Sequence, residues 1–159
     1  MQEKENTIKE IEFITFLLGE EEYGIDVLKI MEIIRPAKVT RMPNASPFVE
    51  GVINLRGMVI PIIDLKLRFK IGSIDKNNPG MRIIIINVGN EHIGVEVDMV
   101  KEVTRITADD IDNAPDVTDV SLDQRFVSGI AKKDERLIVL LDTDKIFSET
   151  EKEELHNIK

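Results

Sequence analysis

Short runs of apolar residues, or of alternating apolar and polar residues, recur along the whole chain, and Gly, Pro, Asn or Asp ends each of them. Runs of this length separated by turn residues are typical of β-barrels and β-sandwiches. Helical spacing of apolar residues is confined to Asp64–Lys70 and Thr143–Phe147, and we expect the acidic segment after Ser148 to extend the second of these as a helix. The pattern predicts ten strands: Glu12–Leu18, Glu22–Val27, Ile30–Arg35, Val49–Asn54, Met58–Ile63, Met81–Val88, His92–Val97, Val103–Ile106, Phe126–Ala131 and Leu137–Leu141.

The chain also contains an internal repeat. When the sequence is shifted by 70 residues, Phe16–Arg35 aligns without a gap with Ile86–Arg105. Chance would give about one or two identities in such a window at average residue usage. The observed identities are Gly19 with Gly89, Glu21 with Glu91, Gly24 with Gly94, Val27 with Val97, Glu32 with Glu102, and Arg35 with Arg105.

A second block repeats at a spacing of 78 residues. Each half of the chain therefore runs in the order hairpin, strand, connection, hairpin and helical turn. The extra residues of the second half lie in "TADDIDNAPDVTDVSLDQ", whose Asp and Pro content predicts an irregular loop. The matching positions of this block are Phe48, Val49, Gly51, Ile60, Asp64 and Phe69 with Phe126, Val127, Gly129, Ile138, Asp142 and Phe147.

The repeat predicts a mainly β fold of two similar five-stranded units, each closed into a small barrel. We expect one domain over residues 10–150, composed of two intertwined barrel subdomains at roughly 16–70 and 81–147, with flexible tails at 1–9 and 151–159. Asp64 and Asp142 are expected to cap the helical turns. Pro61 predicts an edge or a bulge in its strand. Because each core is small, the units should pack together and leave a groove between them.

Composition and charge exclude several classes of function. The net charge of −9 and the lack of a basic stripe argue against nucleic-acid binding. No run is long enough to span a bilayer, and the polar N-terminus does not resemble a signal peptide. The absence of Cys excludes disulfides, Cys-ligated zinc and thiol nucleophiles. Cytosolic residence is the simplest interpretation.

No arrangement of residues typical of an enzyme is evident. His92 aligns with Glu22 in the repeat and is expected to face solvent, His156 lies in the tail, and neither has a second metal ligand at a useful spacing. The glycines lie scattered at turns, so no phosphate-binding loop is expected. We interpret the Asp-rich segment as a solvated linker; the alternative is a small metal-dependent hydrolase that uses Asp110 or Asp112. We predict no catalytic residues, no cofactor and no metal.

The two copies differ at the tip of the second hairpin. "NLRG" (Asn54 to Gly57) in the first copy becomes "AKKD" (Ala131 to Asp134) in the second. The fold itself therefore does not require Leu55 and Arg56, and a hydrophobic residue beside an arginine is typical of the centre of an interface. In the alternative interpretation, Leu55 folds back over the barrel and Arg56 extends along its surface.

The segments "EEYGIDVLKIMEIIRP", "VTRMPNASPFVEGVINLRGMVIPIIDLKLRF" and "GVEVDMVKEV" resemble the bacterial chemotaxis coupling proteins, the CheW family. The resemblance extends from Glu12 to about Phe147. It implies two SH3-like β-barrels and an adaptor that joins transmembrane chemoreceptors to the regulatory domain of the histidine kinase CheA. The cytoplasmic hairpin tip of a methyl-accepting receptor would lie in the groove between the barrels, and recruitment to membrane receptor arrays would follow without direct membrane insertion.

The same resemblance implies two sets of binding residues. A different duplicated SH3-like scaffold that binds another helical hairpin remains the alternative function. The residues expected to face the receptor are Ile30, Glu32, Arg56, Gly57, Val100 and Val103. Those expected to face the kinase are Met81, Arg82, Pro115 and Val117.

Overall fold

The computed structural model describes residues 9–112 and 123–158, and in these ranges the protein is mainly β, as predicted. No helix in these ranges is long and apolar enough to cross a lipid bilayer. Within the described ranges, 3₁₀ turns lie at Val27–Lys29, Ala108–Asp110, Gln124–Phe126 and Thr143–Lys145. The strands and helices are β1 (Glu10–Leu18), β2 (Glu21–Asp26), β3 (Ile30–Ile34), β4 (Val49–Leu55), β5 (Met58–Asp64), α1 (Leu65–Arg68), β6 (Arg82–Val88), β7 (Glu91–Val97), β8 (Met99–Thr107), β9 (Ile111–Asp112), β10 (Val127–Lys133), β11 (Arg136–Leu141) and α2 (Glu149–Asn157).

The strands form two sheets, one in the order β8-β1-β2-β11-β10-β9 and one in the order β3-β6-β7-β5-β4. Each sheet combines the first hairpin of one sequence copy with the later strands of the other. The parallel pairs β2–β11 and β5–β7 join the copies within each sheet. The ranges 16–70 and 81–147 therefore delimit the sequence copies and not the sheets, because a hydrophobic pattern reports which face of a strand is buried but not which strand lies beside it.

The two sheets repeat the same pairing in detail. β3 pairs with β6 as β8 pairs with β1, in registers that the 70-residue shift interconverts. Both strands contain a bulge at the matching residue, Met31 in β3 and Lys101 in β8. Since a bulge bends a strand and redirects its side chains, the two strands present their following residues in the same way.

Gly24 and Gly94, one of the two glycine pairs that the first repeat shares, lie where the parallel strands pack closely. A Cβ atom on Gly94 would lie 2.6 Å from Ile62 Cδ1 and 2.8 Å from Ile83 Cγ2. A Cβ atom on the equivalent Gly24 would lie 3.2 Å from Leu140 Cδ2. A side chain at this position would therefore clash with its neighbours in one sheet and pack very tightly in the other.

The largest core cluster spans both sheets and is mostly aliphatic. A row of aromatic rings crosses it, with centroid distances of 5.9 Å from Phe16 to Tyr23, 6.0 Å from Tyr23 to Phe69 and 5.6 Å from Phe69 to Phe126. The two barrels therefore share a packed apolar core. A smaller cluster fills the six-stranded sheet: Phe13, Ile106, Ala131, Ile138 and Leu140.

Each copy ends in a helical turn that an aspartate caps, as the sequence predicted. Asp64 Oδ1 accepts the backbone N–H of Leu67 at 3.0 Å. Asp142 Oδ1 accepts the backbone N–H of Asp144 at 3.1 Å. These bonds satisfy donors that a helix start would otherwise leave unpaired.

The C-terminal segment corrects one prediction. Residues 151–159 were expected to be a flexible tail, but α2 packs against the barrels with Leu155 buried. A capping box begins this helix: Ser148 Oγ accepts the N–H of Glu151 at 3.1 Å, and the Glu151 carboxylate accepts the N–H of Ser148 at 2.7 Å. The helix is therefore separate from the preceding 3₁₀ turn. Glu151 also pairs with Arg68 at 2.8 Å.

The six-stranded sheet has one strand more than the five predicted for each barrel. β9 pairs with β10 at Ile130 and Ala131. The other sheet has a single bridge, between Thr40 and Val52, at the equivalent place. A strand of two residues in an Asp-rich segment is too short to leave a periodic signal in the sequence.

Pro61 was expected to place its strand at an edge or to bulge it, but β5 lies between β7 and β4. Pro61 stands opposite Val52, which directs both its N–H and its C=O to Thr40 at 2.8 Å each. Pairing with β7 begins only at Ile62. The sheet tolerates the proline because no neighbouring strand needs an N–H from it.

Three carboxylates meet beside the five-stranded sheet: Glu50 of β4, Asp64 of β5 and Glu96 of β7. We call them the acidic cluster. Lys76, from the loop between α1 and β6, places Nζ 2.9 Å from Glu50 Oε1, 3.0 Å from Glu96 Oε1 and 3.6 Å from Asp64 Oδ2. Burial raises the pKa of Glu96 to about 7, although Lys76 opposes this effect.

This pKa predicts a dependence of stability on pH. Between its ordinary pKa of 4.5 and about 7, Glu96 binds a proton more tightly in the folded state, so the free energy of unfolding should fall as the pH rises through this window. The fall is on the order of 3 kcal/mol. Urea unfolding at pH 5 and pH 8 with a chelator present should show it in the wild type and not in Glu96→Gln. Glu153→Gln, on the exposed face of α2, should keep the wild-type dependence; equal slopes in all three proteins would refute the assignment.

Candidate functional site

The tip of the β4–β5 hairpin is a two-residue turn. Leu55 pairs with Met58, and the two residues between them, Arg56 and Gly57, have φ angles of 51° and 88°. Two positive φ angles are typical of a type I′ turn, whose twist matches that of a hairpin. The N–H of Gly57 donates to Asn54 Oδ1 at 2.8 Å and holds the tip.

The tip of the β10–β11 hairpin corrects the sequence alignment by one residue. Lys133 pairs with Arg136, and the turn residues Asp134 and Glu135 have φ angles of 51° and 66°. The counterpart of "NLRG" is therefore "KKDE" (residues 132–135), not "AKKD" (residues 131–134). The contrast between the tips remains, because the apolar Leu55 aligns with a lysine in both alignments.

Arg56 connects the two outermost strands of the five-stranded sheet. Its Nη2 pairs with Glu32 Oε1 of β3, while Arg56 itself follows β4. The sheet thus curls until its outer strands meet, which closes the barrel. The Arg56 side chain is 63% exposed, and among the described residues only Glu32 pairs with it. Leu55 packs against the core, as the structural alternative for this residue supposed.

The second barrel uses its matching glutamate differently. Glu102 lies 3.8 Å from Arg136, but Arg136 is held mainly by the buried Glu22, with Nε 3.2 Å from Oε1 and a second, shorter contact. Burial alone would raise the pKa of Glu22, but hydrogen bonding and charge from Arg136 lower it below its ordinary value. Arg136 is therefore partly buried and held by Glu22, whereas the Arg56 side chain is largely exposed.

The apolar residues of the predicted receptor set lie on two edge strands, Ile30 on β3 and Val100 and Val103 on β8. Ile30 and Val100 are half-buried and pack against the core cluster that spans both sheets. Val103 is 53% exposed. The structure thus brings Glu32, Arg56 and Gly57 together, places Ile30 and Val100 against the shared core, and leaves Val103 exposed.

The sequence interpretation missed Leu28, which is 84% exposed in the turn between β2 and β3. It stands two residues before Ile30, so it extends the apolar edge of β3. The repeat contained a signal for it, because Leu28 aligns with Asp98 in the second copy. An apolar residue that the other copy replaces with an acid is not needed for the core.

The residues expected to face the kinase are less favourably placed. Met81 is 2% exposed and packs in the core, so its side chain is not a contact surface. Arg82 begins β6 and is half-buried, and it donates to the carbonyls of Met81 at 2.7 Å and Pro79 at 3.1 Å. Pro115 and Val117 lie outside the described residues.

Comparison with known proteins places this fold in one family. Residues 12–151 match the family model of the CheW-like domain. The chemotaxis protein CheW of Klebsiella aerogenes is 38% identical over 147 residues, which cover 92% of this chain and 87% of the relative. The chemotaxis protein CheW of Thermotoga maritima is 38% identical over 148 residues, which cover 91% and 92%. The crystal structure of the scaffolding protein TtCheW from Thermoanaerobacter tengcongensis aligns with a TM-score of 0.80 at 37% identity, covering 90% of this chain and 96% of that chain.

Proposed function

We propose, since the chain belongs to the family of CheW-like domains, that it couples transmembrane chemoreceptors to the histidine kinase CheA by binding both. Membership of this family makes the chain a chemotaxis scaffold and not an enzyme. A hydrolase that uses Asp110 or Asp112 is therefore set aside. The adaptor would work in the cytoplasm and be recruited to receptor arrays through its partners.

The exposed arginine at the first hairpin tip is the observation that carries the receptor side of this proposal. Arg56 stands at the tip with only Glu32 as partner among the described residues, and Ile30 lies two positions before Glu32 on the same strand. An amphipathic helical hairpin could lay its apolar stripe against Ile30, Val100 and Val103. The charges of Glu32 and Arg56 would then fix its register.

A pull-down from native cytosol tests this function. The purified chain, immobilised through its N-terminus, should capture a CheA-like kinase that is identified by mass spectrometry. The affinity should be on the order of micromolar, since signalling interfaces of this kind are small and transient. Capture of a different helical-hairpin protein in place of the kinase would favour the alternative scaffold function.

On the kinase side we propose Arg82 as a contact, without Met81. Arg82→Glu should weaken binding of the kinase regulatory domain by about tenfold, because a charge reversal in an interface converts attraction to repulsion. Receptor binding should not change. Lys132→Glu, an exposed charge reversal at the second hairpin tip, is the matched control. Isothermal titration with the regulatory domain measures both variants, and an unchanged affinity for Arg82→Glu would remove this residue from the interface.

A further inference from the structure

The acidic cluster carries more negative charge than its one cation balances. Glu50, Asp64 and Glu96 contribute three carboxylates, and Lys76 contributes a single ammonium group. The side chains of Asp64 and Glu96 are each 1% exposed, so water does not solvate their charge. A buried carboxylate without a full counter-charge is costly and favours the uptake of a proton or a cation.

One oxygen of the cluster also lacks a hydrogen bond. Glu96 Oε1 is inaccessible to solvent and accepts no hydrogen bond from any described residue. Lys76 Nζ lies 3.0 Å from it, which is an ion-pair distance, but the ammonium group does not point a donor at it with hydrogen-bond geometry. Lys76 is also 41% exposed and is shared with Glu50. A buried oxygen of the cluster therefore has an ion-pair partner but no hydrogen bond.

The positions of the oxygens fit a metal ion. One carboxylate oxygen from each of the three residues lies within 4.8 Å of the other two. Oxygen ligands at about 2.1 to 2.5 Å from a shared ion lie at most about 5 Å apart. Asp64 is already oriented, because its oxygens accept the N–H groups of Leu67 at 3.0 Å and Ile74 at 2.9 Å. Such outer hydrogen bonds hold a ligand in place for metal binding.

We propose that Glu50, Asp64 and Glu96 form a binding site for a divalent cation of the class that prefers oxygen ligands, such as Mn²⁺ or Ca²⁺, and that Lys76 holds the centre of the site when no metal is bound. Metal entry requires the ammonium group to move out, which its exposed position on a loop allows. The site shares no residue with the proposed receptor and kinase contacts and is inferred without them, so it stands whether or not the proposed function is correct.

Titration of the full chain with MnCl₂ tests the site, with paramagnetic broadening of backbone amide signals as the readout. Broadening should saturate at one ion per chain and centre on residues 50, 64 and 96. Lys76→Met removes the competing ammonium group and should tighten binding at least tenfold. Glu96→Gln should weaken it at least tenfold, whereas Glu153→Gln on α2 should not change it.

The wild-type titration decides the matter even if a variant unfolds. Broadening that never saturates, or that centres on another acidic segment, would overturn the site.

Discussion

Exchanging the charges of the hairpin-tip ion pair, by Glu32→Arg together with Arg56→Glu, should leave the barrel folded but weaken receptor binding at least about tenfold. Glu32 and Arg56 join the two outer strands of the five-stranded sheet. The exchanged pair can restore that contact, so thermal unfolding should remain close to the wild type. The receptor, however, would meet a negative charge where the adaptor normally presents a positive one.

The exchange separates the two interpretations of Arg56. If Arg56 only closes the barrel, the double variant should bind receptor as the wild type does, and the single variant Arg56→Asp should lose stability together with binding. Asp134→Arg is the matched control, because Asp134 occupies the equivalent turn position with the same φ of 51°. Calorimetric titration with a receptor hairpin fragment measures the binding affinity of each variant. Full affinity in the double variant would contradict a docking role for this tip.

Replacing Gly51 with alanine should cost about 3 to 5 kcal/mol of stability. Gly51 has a φ of 150°, and a Cβ atom there would lie 2.0 Å from the carbonyl oxygen of Thr40. The clashing atom belongs to the backbone, so it cannot rotate away as the end of a flexible side chain can. Relief of the clash would break the paired hydrogen bonds between Thr40 and Val52, which are 2.8 Å each.

The control for this loss is Gly89→Ala. Gly89 has a φ of 61° in a hairpin turn, and a Cβ atom there would meet nothing within 4 Å. Its cost should be about 1 to 2 kcal/mol, which is the backbone penalty alone. Urea unfolding compares the two variants. If Gly51→Ala lowers the free energy of unfolding no more than Gly89→Ala does, the backbone before β4 can move to relieve the clash at little cost.

The sequence predicted the strands well because their signal is local. Alternation of apolar residues and the shared glycines located the hairpins. The prediction of intertwined subdomains did not specify which hairpin joins which sheet, since the two sequence copies are nearly interchangeable partners. The helix α2 was underestimated because Leu155 is its one fully buried apolar residue in an otherwise charged segment.

The candidate site shows the same division. Comparing the two copies identified the first hairpin tip, although the alignment was one residue out of register. The error did not change the conclusion, because the residues of the second tip are polar in either alignment. The partner of Arg56 was not predictable, since Glu32 is 24 residues away and meets it only when the barrel closes. Met81 was assigned to the kinase surface by the family resemblance alone, and the structure buries its side chain in the core.

If this chain bridges receptor and kinase, co-sedimentation should detect the bridge directly. Receptor cytoplasmic fragments are anchored to vesicles, and a purified CheA-like kinase is added with and without the chain. We expect the kinase to pellet with the vesicles only when the chain is present. The Glu32→Arg, Arg56→Glu double variant should abolish this co-sedimentation of the kinase. Kinase that pellets equally without the chain, or remains in the supernatant with it, would contradict the bridging role.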